Sequence, residues 1–374
     1  MSEIKKGLDG VVVDETQISK VMPDINSLVY RGYPVQDLAE NCRFEEIAYL
    51  LFHEDLPTTK LLEAFEKDER GRREISKDLV EVIRKFNKKC HPMDSIRTAV
   101  SFLGAEGSSH WDHELKEKQD RSMDLLAKIP TMIAADFRFK KGQDFIPPRK
   151  DLTIAENFFH LCFGEVPSKE VVRAFDVSLI LYAEHSFNAS TFTSRVITST
   201  TSDIFSAVVG GIGALKGPLH GGANEQVMHM MLEVGEPDKA AAWMKKALAD
   251  KRKIMGFGHR VYKNGDSRVP TMKKYAQKMA DATGGQKWMK MYDELAKVML
   301  DEKNIYPNLD FPAGPAYYMM GFDIDFFTPI FVMSRITGWC AHVMEQSQAN
   351  RLIRPLSAYT GHKERKVTSI TSRN

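Results

Sequence analysis

Three short segments of the chain place a histidine or an aspartate among glycine and proline residues. They carry His220 at 217–222 (Gly-Pro-Leu-His-Gly-Gly), His259 at 256–259 (Gly-Phe-Gly-His) and Asp310 at 307–312 (Pro-Asn-Leu-Asp-Phe-Pro). Glycine has no Cβ, so it lets a ligand or a second stretch of backbone come close to a neighbouring imidazole. A single histidine more often has a structural role, but flanking glycines at both histidines favour a functional one.

The aspartate is the candidate for a general base. Asp310 stands beside Leu309 and Phe311, with Pro312 following. Aspartates in turns usually only cap or hydrogen-bond locally. An aspartate held against apolar side chains instead has a raised pKa and can accept a proton near neutral pH.

Further candidates are His185, in the segment 182–192 (Tyr-Ala-Glu-His-Ser-Phe-Asn-Ala-Ser-Thr-Phe), and the arginines Arg268, Arg335 and Arg354. A guanidinium fork matches a carboxylate, and an arginine on an otherwise apolar helix needs such a partner. Other site classes fit less well. The segment 256–259 lacks the third glycine of a dinucleotide loop, no Walker motif is present, and His110 and His113 lie among charged residues typical of a solvated helix face.

The elements that position these groups are predicted to be mainly helical. Apolar residues recur with helical spacing at 44–51 and 172–182, and Ser168 is placed to cap the second helix. A long buried helix is predicted over 325–350, with Thr328 as N-cap and Pro329 at its first position. Short strands are predicted at 10–13 and 27–30, so the fold class is all-α with a small N-terminal β feature.

Length and composition restrict the class of protein. The 374 residues predict two domains, or one large domain with an insertion, and a Lys-rich block at 236–303 suits a smaller, mobile domain. The net charge of +2 predicts neither a nucleic-acid nor a membrane partner. Four cysteines lie far apart, which argues against a zinc ribbon or a disulfide framework. With no leader or long apolar run, we expect a cytoplasmic protein.

Taken together, the ordered motifs resemble those of the citrate synthase family through nearly the whole chain. Besides the three segments above, they include 28–34 (Leu-Val-Tyr-Arg-Gly-Tyr-Pro), 44–51 (Phe-Glu-Glu-Ile-Ala-Tyr-Leu-Leu) and 91–94 (His-Pro-Met-Asp). The segment 182–192 is similar to the bacterial 2-methylcitrate synthase branch of that family, whose members often also make citrate.

The resemblance implies a homodimer with a large helical domain, 1–221 and 322–374, and a small domain, 222–321, that closes over the substrates. The implied reaction condenses propionyl-CoA, and also acetyl-CoA, with oxaloacetate and water, giving 2-methylcitrate or citrate and free CoA, with no cofactor and no metal. Asp310 would take a proton from the α-carbon of the thioester, and His220 would donate a hydrogen bond to the thioester oxygen. His259 would hold and protonate the oxaloacetate carbonyl.

The resemblance also implies the residues that bind substrate. Oxaloacetate would be held by His185, Arg268, Arg335 and Arg354, the last reaching into the neighbouring subunit's site. Arg70 is a weaker addition, since its neighbours at 69–73 fit a solvated charge cluster better. CoA would meet Lys253, Ile254, Met255, Gly256 and Phe257, and a phosphate would meet Lys263, where some relatives carry arginine. Ser347 and His362 also differ from residues that are frequent in the family.

Three alternatives remain open. A plain citrate synthase would keep the same residues but use only acetyl-CoA well, although one methylene is worth just ~1–3 kcal/mol in a pocket. A metal enzyme would use His185, His220, His259 and Asp310 as ligands, but metal-binding sequence spacings are absent. A helical scaffold without activity would leave the glycine-flanked histidines unexplained.

Overall fold

The computed structural model describes residues 4–107, 114–259, 261–262 and 265–373. Three residues considered above, His110, His113 and Lys263, lie outside these ranges. No helix in the described part of the chain is both long and apolar enough to cross a membrane.

The described residues form sixteen α-helices, which confirms the predicted fold class. The first ten are α1 (Val35–Asn41), α2 (Phe44–His53), α3 (Thr59–Arg72), α4 (Lys77–Arg84), α5 (Pro92–Ala105), α6 (Leu115–Lys140), α7 (Ile154–Phe163), α8 (Lys169–Tyr182), α9 (Ala189–Ser199) and α10 (Ile204–Leu215). The last six are α11 (Ala223–Val234), α12 (Pro237–Ala249), α13 (Val269–Thr283), α14 (Gln286–Lys303), α15 (Asp310–Met319) and α16 (Phe327–Gln348).

A three-stranded antiparallel sheet precedes the helices. Its strands β1 (Ser19–Met22), β2 (Ser27–Tyr30) and β3 (Tyr33–Pro34) follow each other in order, with Ser19 paired to Tyr30 and Tyr30 to Tyr33. The strand predicted at 27–30 is confirmed. The strand predicted at 10–13 is wrong, because this valine-rich segment has no neighbouring strand, and Val12 is 90% exposed.

The long helix α16 runs through the centre of the molecule. It packs against α6, α8, α9 and α10, and Met333, Ile336, Cys340 and Val343 on its predicted apolar face are all fully buried. It is buried on nearly every side, as expected of a core helix. Its predicted start is wrong, because α16 begins at Phe327 and the Thr328 hydroxyl, already inside the first turn, donates to Glu225 instead of capping its own helix.

The other predicted helices are present. The periodic segment at 44–51 forms α2, and α8 begins directly after Ser168. Ser168 is the N-cap residue by position, but its side chain makes no capping hydrogen bond to the helix backbone.

The Lys-rich block folds into α12, α13 and α14, which pack with α11 and α15. Within this group α12 lies against α14, and α13 lies against α14 and α15. Outside the group, α13 also contacts α8. The group therefore presents the loops around His259 and Asp310 to a cleft whose opposite wall comes from α8, α9 and α16.

Candidate active site

A cavity of about 1450 Å³ opens in this cleft. The candidate residues from the sequence that line it are His185, His220, Lys253, Ile254, Met255, Gly256, Phe257, His259, Arg268, Asp310 and Arg335. Side chains separated by up to 150 positions in the chain thus share one space. Their convergence is a geometric result, and their chemical roles are considered below.

The Asp310 carboxyl lies in the first turn of α15 and, among the described residues, accepts one hydrogen bond from a neutral donor. The Tyr182 hydroxyl, at the end of α8, donates a hydrogen bond of 2.7 Å to Asp310 Oδ1. Burial raises the pKa of Asp310 to about 6, although the Tyr182 bond and the nearby Arg268 and Arg335 act in the opposite direction. Near neutral pH this carboxylate is ionised and yet basic enough to accept a proton.

His220 sits in the tight turn between α10 and α11, and its tautomer follows from its neighbour. The Ser190 backbone N–H donates to His220 Nε2 at 3.3 Å, and the Ser190 hydroxyl lies 2.8 Å from the same atom. A backbone N–H can only donate, so Nε2 is the acceptor and Nδ1 carries the proton. Burial, followed by the charge of Arg335, lowers the pKa of His220 to about 3, so the ring is a neutral Nδ1–H donor.

The Ser190 hydroxyl is itself fixed by the central helix. Trp339 of α16 donates its indole N–H to Ser190 Oγ at 3.1 Å, and Asn188 Oδ1 lies 2.8 Å from the same oxygen. Trp339 and Ser190 are both fully buried. The orientation of His220 is therefore tied to α16 through Ser190, which lies in the segment 182–192, and through Trp339, which no sequence motif pointed to.

His259 has the opposite tautomer. Its Nδ1 accepts hydrogen bonds from the backbone N–H groups of Val261 at 3.0 Å and Tyr262 at 3.1 Å. The proton is therefore on Nε2, which is left free to donate. Burial, followed by the charge of Arg268, lowers the pKa of His259 to about 4, so this ring is also neutral.

Arg268 is held in place by the buried carboxylate of Asp266. Its Nε lies 2.9 Å from Asp266 Oδ1 and its Nη2 lies 2.7 Å from Asp266 Oδ2, a bidentate pair. Asp266 Oδ2 also accepts the backbone N–H of Leu309 at 3.1 Å. Asp266 thus links the arginine to the residue before Asp310.

Arg335 is a buried cation that forms no direct ion pair among the described residues, although the charge of the buried Glu184 acts to raise its pKa. It is 1% exposed, its Nε donates to the Tyr182 carbonyl at 2.7 Å, and its Nη1 has no hydrogen-bond partner. Burial lowers the pKa of Arg335 to about 10. A buried cation of this kind is costly unless a ligand brings negative charge.

His185 lies beside these two arginines and is 8% exposed. Burial, and then the charges of Arg268, His259 and Arg335, hold the pKa of His185 well below its usual range. Its Nε2 has no partner in the described structure. Arg268, Arg335 and His185 together provide a cationic, hydrogen-bonding lining whose charge suits a dicarboxylate.

The loops that carry His259 and Asp310 are joined by hydrogen bonds. Gly258 N–H donates to the Tyr306 carbonyl and Asn308 N–H donates to the Gly256 carbonyl, each at 2.9 Å. The Asn308 side chain adds a bond of 2.9 Å to the Gly258 carbonyl. Gly256 has φ +83°, and a Cβ there would lie 2.4 Å from Val227 and 2.9 Å from Phe311. Only glycine fits this crossing.

Two predicted oxaloacetate ligands are not at the cavity of this chain. Arg70 lies on α3, where its Nη2 pairs with Glu66 at 2.9 Å, and its contact with oxaloacetate stays a prediction. Arg354 is exposed in the extended segment after α16. Of the predicted CoA contacts, Lys263 lies outside the described residues.

A possible cation group lies elsewhere. Among the described residues, His91, Glu225 and Asp325 have ligand atoms within 4.8 Å of one another. The group contains none of the four side chains proposed as metal ligands in the metal-enzyme alternative.

Comparisons with known proteins identify related sequences and structures. Residues 7–356 match the family model described as citrate synthase, C-terminal domain. The chain is 57% identical to a 2-methylcitrate synthase of Mycobacterium tuberculosis, over 97% of this chain and 92% of the relative. It is 56% identical to a citrate synthase of Mycolicibacterium smegmatis, over 97% of both. It also resembles the Thermoplasma acidophilum citrate synthase solved as a ternary complex with carboxymethyl-CoA and oxaloacetate, with a TM-score of 0.94 and 31% identity over 99% of this chain and 100% of that one.

Proposed function

The chain belongs to the citrate synthase family of acyl-CoA condensing enzymes, and on that premise we propose that it joins propionyl-CoA, and also acetyl-CoA, to oxaloacetate. The products are 2-methylcitrate or citrate and free CoA. The observation that carries the proposal is the convergence of one basic carboxylate and two neutral imidazoles of opposite tautomer on a cationic pocket.

The first step is removal of a proton from the α-carbon of the thioester. Asp310, with its pKa raised to about 6, accepts that proton. As it leaves, negative charge develops on the thioester oxygen, and the Nδ1–H of His220 donates to it. Because the donor is oriented in advance, and domain closure would exclude water, it stabilises the enolate strongly.

The second step forms the new carbon–carbon bond. Arg268, Arg335 and His185 hold the two carboxylates of oxaloacetate, and the Nε2–H of His259 donates to its carbonyl oxygen. The enolate carbon attacks the carbonyl carbon, and His259 delivers its proton to the resulting alkoxide. The proton taken up by Asp310 then passes through water to His259, which restores both groups. Water then cleaves the thioester of the adduct and releases CoA, so the atoms balance without a metal or an organic cofactor.

CoA lies along Lys253–Phe257, whose residues line the mouth of the cavity. We infer that the two walls of the cleft belong to two domains, 1–221 with 322–374, and 222–321, and that closure of the smaller one would exclude water. The balance between the two acyl groups is set by one methylene, worth ~1–3 kcal/mol, so both substrates are expected to react.

The test compares kcat/KM for propionyl-CoA and acetyl-CoA by release of free thiol, with saturating oxaloacetate in a chelating buffer. A propionyl preference supports 2-methylcitrate synthesis as the main activity, and an acetyl preference favours the plain citrate synthase. No thiol release from either substrate would refute the condensing role.

Asp310→Asn tests the base directly. It should bind oxaloacetate like the parent protein but lose turnover by orders of magnitude. Asp238→Asn, which also changes an aspartate in a first helical turn but on α12 outside the cavity, is the matched control. Full activity of Asp310→Asn would remove Asp310 from the base role.

We also propose that the protein is a homodimer in which Arg354 serves the neighbouring site. In its support, the segment after α16 exposes Leu352 by 60%, Leu356 by 89% and Tyr359 by 79%, an apolar surface that a partner would cover. Mixing inactive Arg354→Gln and Asp310→Asn subunits tests this. If Arg354 acts across the interface, each mixed dimer contains one intact site and activity returns; if it acts within its own subunit, the mixture stays inactive.

A further inference from the structure

The turn that carries His220 has both of its ends bound to the start of α5. On the entry side, Lys216 Nζ lies 2.8 Å and 2.7 Å from the two carboxylate oxygens of Asp94. On the exit side, Glu225 Oε2 lies 3.1 Å from His91 Nε2. His91 is the N-cap of α5 and Asp94 lies in its first turn, so two anchors three residues apart hold both ends.

The direction of the His91–Glu225 bond is fixed. His91 Nδ1 accepts the backbone N–H of Met93 at 3.1 Å, so the ring proton lies on Nε2 and is donated to Glu225. The carboxylate raises the pKa of His91 through this bond. His91 Nε2 therefore donates to Glu225 whether the ring is neutral or charged.

Glu225 also joins two further helices. It lies in the first turn of α11, and its Oε1 accepts from the backbone N–H of Thr328 at 3.2 Å and from the Thr328 hydroxyl at the start of α16. Glu225 is 6% exposed. The amino ends of α5, α11 and α16 therefore meet at one buried carboxylate, where their dipoles favour its negative charge.

The turn between the anchors is too tight to absorb a displacement. His220 N–H donates to the Gly217 carbonyl at 2.8 Å, and Gly221 N–H donates to the Leu215 carbonyl at 2.9 Å. A Cβ on Gly221 would lie 2.6 Å from the Leu215 side chain. A shift of either end would therefore be passed on to the His220 ring.

We propose that His91, Asp94, Lys216 and Glu225 form a clamp that positions the His220 N–H against the thioester oxygen. These four are positioning residues, because none of them lines the cavity. The clamp acts on the enolisation step and leaves the oxaloacetate pocket of Arg268, Arg335 and His185 untouched. The inference rests on the proposed role of His220.

The deciding variant is His91→Asn. Asparagine is a good N-cap and so retains the start of α5, but it is too short to reach Glu225. We expect kcat for propionyl-CoA to fall by roughly 10- to 100-fold, the loss typical of a displacement near 1 Å, with the Kd for oxaloacetate unchanged. A merely structural defect would lower the melting temperature without this separation of kcat from Kd.

The entry side gives an independent test at a more exposed pair. Lys216→Met should lower kcat in the same direction, and Lys216→Arg, which still reaches Asp94, should restore it. Glu233→Gln is the matched control, because it removes an ion pair with Arg252 from the far end of the same helix α11 and should leave kcat unchanged.

Wild-type kcat in both His91→Asn and Lys216→Met would overturn the clamp. So would a fall in kcat equal to that of Glu233→Gln, or one matched by an equal loss of oxaloacetate affinity. His220→Ala separates this from a failure of the proposed function. If His220→Ala turns over normally, the role of His220 is wrong. If His220→Ala is inactive while His91→Asn and Lys216→Met are both normal, only the clamp is wrong.

Discussion

The hydrogen bond between Tyr182 and Asp310 makes a prediction about the pH dependence of turnover. Tyr182→Phe removes the one neutral donor to the Asp310 carboxylate and keeps the ring, whose centroid lies 4.2 Å from that of Phe331. The bond favours the ionised form, so its loss raises the pKa of Asp310 above its present value of about 6.

The size of the shift follows from the type of bond. A hydrogen bond to a charged group contributes about 1.5–3 kcal/mol, and one pKa unit corresponds to about 1.4 kcal/mol, so the pKa should rise by about 1–2 units. A base with pKa about 6 is about 90% ionised at pH 7, and at pKa about 7.5 it is about 25% ionised. Turnover at pH 7 should therefore fall about fourfold, and it should recover by pH 9.

The assay is kcat for thiol release from pH 5.5 to 9.5. Since Asp310 must be ionised, activity is lost as the pH falls through its pKa, and the variant should lose it at a higher pH than the parent. Tyr317→Phe is the control, because Tyr317 is an equally buried phenol of α15 whose hydroxyl donates to Ser178 at 3.0 Å instead. An acidic limb that stays in place, or moves to lower pH, would refute the assignment of Asp310 as the base held by Tyr182.

Three further predictions concern binding and stability. Arg335→Gln should weaken oxaloacetate binding by at least about tenfold, because a charge-assisted bond of about 1.5–3 kcal/mol is lost, and an unchanged Kd by calorimetry would contradict its role. Gly256→Ala should lower the free energy of unfolding by about 1–3 kcal/mol in urea titrations, since the new Cβ meets Phe311 and the φ of +83° is strained, whereas Gly284→Ala, also at positive φ but with open space around it, should cost less. Burial raises the pKa of Asp136 to about 6, above that of the unfolded chain, so the folded state holds an extra proton between about pH 4 and 6 and loses stability as the pH rises through this range. Asp136→Asn should flatten that part of the profile, and identical urea midpoints at pH 4.5 and 7.5 in parent and variant would argue against it.

The family and the helical class were predictable because they depend on local order in the sequence. The periodicity at 44–51 became α2, and the apolar face of Met333, Ile336 and Cys340 became the core of α16. The motifs around His220, His259 and Asp310 were predictable for the same reason, since each glycine or proline affects the conformation of the residues next to it.

Errors arose where a local preference was satisfied by a distant residue. Valines favour strands, but the segment 10–13 has no strand beside it. Thr328 was expected to cap its own helix, yet its hydroxyl donates to Glu225, 103 residues earlier in the chain.

The protonation pattern of the site could not have been predicted from the sequence. It depends on which backbone N–H groups meet each imidazole: Ser190 for His220, and Val261 with Tyr262 for His259. It also depends on the Tyr182–Asp310 contact, whose partners are 128 residues apart. These are consequences of the packing of α8, α9 and α15.

The hydrogen bonds between 256–258 and 306–308 hold the two ends of the intervening chain next to each other. Whatever the segment does between these crossings, it must return to the same point, so the spacing of His259 and Asp310 does not depend on its length. Because α13 and α14 are packed against α8, α12 and α15, the exposed turn between them, around Gly284, is where the fold can accept an insertion at little cost to the reaction. For protein engineering, this turn is a place where a peptide could be added while the spacing of His259 and Asp310 is kept.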